Sequence, residues 1–84
     1  MAHSIKIEPA PRKFLDNLDA QTSRRITQTI HKLSSNPRPR GCKKLKGRDA
    51  YRIRVGDYRV VYEIYDDVLV ILVVRVAHRR EVYQ

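Results

Sequence analysis

Apolar and polar residues alternate from the start of the chain. Between Ser4 and Glu8, Ile5 and Ile7 fall on one side and Lys6 and Glu8 on the other, the pattern of a short half-buried strand. Pro9 and Pro11 end it. Pro11 suits the first turn of a short helix running through Leu18, in which Phe14, Leu15 and Leu18 share one stripe. Asp19 is then expected to cap a second, longer helix. There Thr22, Ile26, Ile30 and Leu33 recur at steps of four, four and three, while Arg24, Arg25, Gln28 and Lys32 face elsewhere. Ser34, Ser35, Asn36 and Pro37 stop that helix.

Residues 38–49 read as a basic loop with a short strand around Leu45. From Ala50 the period becomes two. Tyr51, Ile53 and Val55 alternate with Arg52 and Arg54, Gly56-Asp57 supplies a tight turn, and Tyr58, Val60, Tyr62 and Ile64 alternate with Arg59, Val61 and Glu63. Asp66-Asp67 offers a second turn. Val68 to Ala77 is apolar on both faces apart from Arg75, as in a strand covered on both sides. The order strand, helix, helix, three strands predicts an α+β fold, with two N-terminal helices on one face of a small antiparallel sheet and a single domain over 1–84.

The composition narrows the function classes. An 84-residue chain has room for one small core, which excludes a separate cofactor module. Eighteen Lys and Arg against nine Asp and Glu give a net charge of +9, and such self-repulsion points to a polyanionic partner: nucleic acid, an acidic protein or an anionic membrane. Cys42 is the only cysteine, so neither an intramolecular disulfide nor a multi-thiolate metal site is expected; a structural thiol in a reducing cytoplasm fits it. Met1 to Lys6 lacks the features of a signal peptide, and the run Val68 to Val74 falls short of the roughly 20 residues of a membrane span, so a soluble cytoplasmic protein is expected.

The Gly56-Asp57 turn gathers charge. If it is a two-residue hairpin, Val55 pairs with Tyr58 and Arg54 lies opposite Arg59, with Arg52 two residues along on the same face. Like charges opposed across strands cost roughly 0.2–1 kcal/mol, a cost that a bound anion removes. Continuing through an Asp66-Asp67 turn pairs Arg59 with Val74 and brings Val74, Val76 and His78 to the arginine face. Nine cations and two acids lie between Arg38 and Arg59. Phosphate binding is the simplest use of them, arginine being suited to bidentate contact.

Lys44-Leu45-Lys46-Gly47, the block from Tyr51 to Glu63 and the tail from Val76 to Tyr83 resemble the RelE/ParE superfamily of toxins from toxin–antitoxin pairs, on the RelE side. The resemblance covers nearly the whole chain. It implies a cytoplasmic, ribosome-dependent endoribonuclease that cleaves mRNA in the ribosomal A site without a metal or other cofactor, and that a cognate, acidic antitoxin inhibits. Operator DNA would be met only through the antitoxin complex. The family's catalytic cations fall on Arg52, Arg54, Arg59 and Arg79, and its stacking tyrosine on Tyr83. The first two positions are lysines in the best-studied member; as arginines, with pKa above about 12, they are very poor bases.

The cations suit the charge that develops on phosphorus when the 2′-hydroxyl attacks. His78, the nearby side chain of a type that exchanges protons around neutrality, is the general base or acid that this register proposes, with Glu81 and Tyr83 as further choices. Lys43, Lys44, Lys46 and Arg48 read as a dock on ribosomal RNA. Two other functions remain open: a ParE-like gyrase inhibitor on the same fold, and a non-catalytic RNA-binding module.

Overall fold

Two prolines and an aspartate set the helices. The computed structural model describes residues 2–47 and 49–78. After β1 (Ser4–Ile7), α1 (Pro9–Asp16) holds Pro11 in its first turn as expected, since prolines there forfeit only amides that have no helical partner, and it ends two residues short of Leu18. Asp19 caps α2 (Ala20–Lys32), its Oδ2 accepting the Thr22 amide at 3.0 Å. His31 and Lys32 occupy the last turn, where cations complement the helix dipole.

The rest of the chain forms β2 (Lys43–Lys44), β3 (Ala50–Val55), β4 (Tyr58–Tyr65) and β5 (Val70–His78), giving a five-stranded sheet in the order β1-β5-β4-β3-β2. The short strand expected near Leu45 is β2, one residue earlier. The sheet is not wholly antiparallel. β1 runs parallel to β5, with Ile5 beside Ile71 and Ile7 beside Val73. The physical reason is β5 itself: apolar on both faces, it belongs in a sheet interior, and once the meander has filled one of its edges β1 covers the other. Leu15, Ile26, Ile30 and Leu33 of the helical side pack on Val55, Val60, Tyr62, Ile71, Val73 and Val76. No helix among the described residues is long and apolar enough to cross a membrane.

The β3–β4 hairpin has the expected register: Val55 pairs with Tyr58, Arg54 with Arg59 and Arg52 with Val61. Gly56 supplies the positive φ of 59° that the first central position of a tight hairpin needs.

The β4–β5 pairing departs from expectation twice. The connection is a four-residue turn over 66–69, with Leu69 at φ 54°, so Tyr65 pairs with Val70 and not with Val68. A shift of two keeps every side chain on its face. A bulge then enters between Val61 and Tyr62: Tyr62 pairs with Val73 but Val61 pairs with Arg75. One extra residue exchanges the two faces of β5 beyond it. Val76 consequently lies opposite Val60 in the core and His78 opposite Tyr58, instead of on the arginine face.

Two exposed carboxylates are held below their ordinary value of 3.8, Asp19 by the Thr22 amide and Asp66 by Arg38 and then His3. A carboxyl group more acidic folded than unfolded contributes stability above 3.8, and that contribution disappears as pH falls through the lowered folded value. Asp66→Asn should therefore flatten the fall of melting temperature below pH 3.8; an acid limb identical to that of the unaltered chain would contradict this.

Candidate nucleic-acid interface

The side of the sheet away from the helices carries the charge. Arg52, Arg54 and Arg59 project there with Gly41 and Lys43, and the five residues line a cavity of about 250 Å³. Arg54 is exposed; Arg52 and Arg59 are half-buried. The Arg54 Nε donates to the Gly56 carbonyl at 3.2 Å, which ties that guanidinium back to the turn. The Arg59 Nε is buried and has no hydrogen-bond partner among the described residues. An unmet buried donor costs about 1–3 kcal/mol, so this site already carries a cost that an incoming acceptor would remove.

The loop that adds Gly41 and Lys43 is held at several points. Tyr62, buried at the centre of the core, donates its hydroxyl proton to the Pro37 carbonyl at 2.8 Å. Burial, reinforced by Cys42, pushes this phenol well above its ordinary pKa, so it stays a donor. Arg38 donates through Nε to the Tyr51 hydroxyl at 3.2 Å and through Nη2 to Asp66 at 2.9 Å, with its guanidinium 5.4 Å above the Tyr51 ring. His3 Nε2 meets the other Asp66 oxygen at 3.0 Å. Gly41 takes φ 95°, a conformation open to glycine, and the chain then enters β2, where Lys43 pairs with Arg52.

The expected site residues divide accordingly. Arg52, Arg54 and Arg59 come together as expected. Lys43, expected at a separate dock, lines the same cavity. Lys44 lies 3.5 Å from Asp49, and it lines with Lys46 a second, more open hollow. His78 stands apart: its ring is edge-on to Tyr58 at 5.5 Å, and Tyr58 in turn meets Phe14 of α1 at 6.0 Å. Its expected place among the arginines is corrected by the bulge. Arg48, Arg79, Glu81 and Tyr83 lie outside the described residues. Gly41 was not foreseen, although a glycine in Pro39-Arg40-Gly41-Cys42-Lys43 is the kind of residue that lets backbone approach an anion.

This arrangement can hold a phosphate and offset negative charge developing on it. Arginine cannot exchange protons near neutrality, so the three guanidinium groups act as fixed cations.

Known proteins resemble the chain in sequence and in fold. Residues 5–83 match the family model described as ParE toxin of type II toxin–antitoxin system, parDE. A protein of Methanocaldococcus jannaschii named RelE1 is 30% identical over 88 residues, which span 100% of this chain and 98% of that protein. The RelE–RelB complex of Pyrococcus horikoshii contains a chain that superposes with a TM-score of 0.84 at 33% identity, over 94% of this chain and 97% of that one. An Escherichia coli RelE toxin variant bound to an antitoxin RelB peptide gives 0.78 at 28% identity, over 99% and 92% respectively.

Proposed function

The chain belongs to the RelE/ParE superfamily of toxins from type II toxin–antitoxin systems, and from that premise we propose that it is a ribosome-dependent endoribonuclease of the RelE kind, working in the cytoplasm on mRNA in the ribosomal A site. The observation that carries this reading is the opposition of Arg54 and Arg59 on the uncovered sheet face, around a cavity with an unmet Arg59 Nε.

In the proposed reaction the 2′-oxygen attacks the adjacent phosphorus as its proton leaves, the bond to the 5′-oxygen breaks, and that oxygen takes up a proton. A cyclic phosphate and a 5′-hydroxyl result. Arg52, Arg54 and Arg59 stabilise the charge gathered on the phosphoryl oxygens; one such donor contributes on the order of 3–4 kcal/mol. Arg79 would add a further cation and Tyr83 a surface on which a splayed base stacks. A site rich in cations and poor in bases gains most when another body holds the substrate in line, which is the ribosome's part. Lys44, Lys46 and Arg48 serve as the dock on ribosomal RNA. The partner that restrains this activity is an acidic antitoxin, as RelB accompanies RelE in the related complexes.

Growth should stop when the chain is expressed alone and continue when Arg59→Ala is expressed. Its co-sedimentation with ribosomes should fall steeply between 50 and 200 mM salt, since each phosphate contact contributes a slope of roughly −0.7 to −0.9 in log K against log salt. Binding insensitive to salt would contradict a phosphate dock. The ParE description of the matching family supports one second reading, inhibition of gyrase by protein contact. Growth arrest with intact messages and gyrase trapped on broken DNA would favour it.

A further inference from the structure

The bulge that turns His78 away also determines where Arg75 points. Carried straight on from Tyr62 and Val73, the register would set Arg75 opposite Val60, with a guanidinium group in the core. The extra residue sets it opposite Val61 instead, and Val61 has Arg52 on its other side. Lys43, Arg52, Val61 and Arg75 thus form one row straight across β2, β3, β4 and β5. Arg75 is exposed. With strands about 4.8 Å apart, its Cα lies about 10 Å from that of Arg52. Bulges disrupt the ladder locally, and they are over-represented beside active sites, where they re-aim a side chain.

Taking the cavity to hold the scissile phosphate, we propose that Arg75 is a second phosphate subsite, which takes the backbone of the single-stranded RNA one step along from that cavity. The row leads outward from Arg52 across Val61, a buried apolar residue that puts no negative charge between the two guanidinium groups. Glu63 marks the limit of the track. It shares this face two residues along β4, opposite Ala50 and Leu72, and its Oε1 accepts the Tyr65 hydroxyl at 2.5 Å, so a phosphate is turned away there. The path therefore runs across the strands on the Arg59 side of Glu63. Arg75 acts as a positioning residue: it sets the register of the message over Arg52, Arg54 and Arg59 and reads no sequence.

The test measures binding of a fluorescent single-stranded RNA hexanucleotide and of a dinucleotide to the full chain over a salt series, for the unaltered protein, Arg75→Gln, Arg75→Lys and Arg54→Gln. Arg75→Gln should weaken hexanucleotide binding several-fold and reduce the salt slope by about 0.7, while the dinucleotide, too short to reach Arg75, binds unchanged. Arg75→Lys should keep the slope. If Arg75→Gln melts early, Arg75→Thr carries the same test, threonine being suited to an exposed strand position. Hexanucleotide binding unchanged by Arg75→Gln but weakened by Arg54→Gln would overturn the subsite alone. Binding that neither variant nor salt alters would overturn the cavity's reading and the subsite with it.

Discussion

Replacing Arg59 with methionine is expected to lower message cleavage about a hundredfold or more, on the scale of one lost transition-state donor, and to leave the fold no less stable than before. Methionine keeps an unbranched stem of similar reach and removes the charge. Two unfavourable features go with it: the opposition to Arg54, worth roughly 0.2–1 kcal/mol, and a buried Nε without an acceptor, worth about 1–3 kcal/mol. A variant that is inactive yet melts at or above the original temperature is the signature of a residue kept for binding. Cleavage by programmed ribosomes and a thermal melt give both readings. Arg54→Met should have a smaller effect, because the Arg54 Nε is already engaged by the Gly56 carbonyl. His78→Gln should keep the full rate at every pH, since that ring packs on Tyr58 on the helical side. A flattened pH profile in that variant would place the chemistry on the wrong face.

Tyr62→Ala should cost about 3–5 kcal/mol, the range for deleting a large buried aromatic ring. A domain of 84 residues has roughly 4–13 kcal/mol in total, so the variant should be largely unfolded at moderate urea. Tyr62 is fully buried, its ring stacks on Tyr51 at 6.0 Å, and its hydroxyl holds Pro37. Tyr62→Phe separates the two roles. It should lose only about 1–2 kcal/mol, from a Pro37 carbonyl left without its donor, and it should weaken RNA binding by freeing the segment that carries Gly41 and Lys43. Equal urea midpoints for Tyr62→Phe and the unaltered chain would contradict the brace.

What could be read from the residues alone follows from how tightly each feature is specified. A glycine and an aspartate between alternating residues leave one sensible hairpin, so the Arg54–Arg59 opposition was legible from the turn outward. The face of α2 was equally legible, because Ile26, Ile30 and Leu33 repeat at helical spacing between a cap and a proline. The second connection was not. Asp66-Asp67 looks like a two-residue turn, and nothing in the chain shows that Leu69 adopts a positive φ to make it four residues long. The bulge was hidden for a related reason: Val73, Val74 and Val76 fit either face of a central strand, so the apolar pattern reads the same with or without an extra residue. His78 was misplaced and Arg75 overlooked by that single step. The parallel seat of β1 depends on a partner some 65 residues away, which local alternation cannot report.

The most direct test is to add the purified chain to ribosomes halted on a defined message and to map the ends of the RNA. The mechanism requires cuts within the A-site codon, 5′-hydroxyl ends on the downstream fragments, and loss of both with Arg59→Met. Messages that stay full length under these conditions, with the unaltered chain bound to the ribosome, would contradict it.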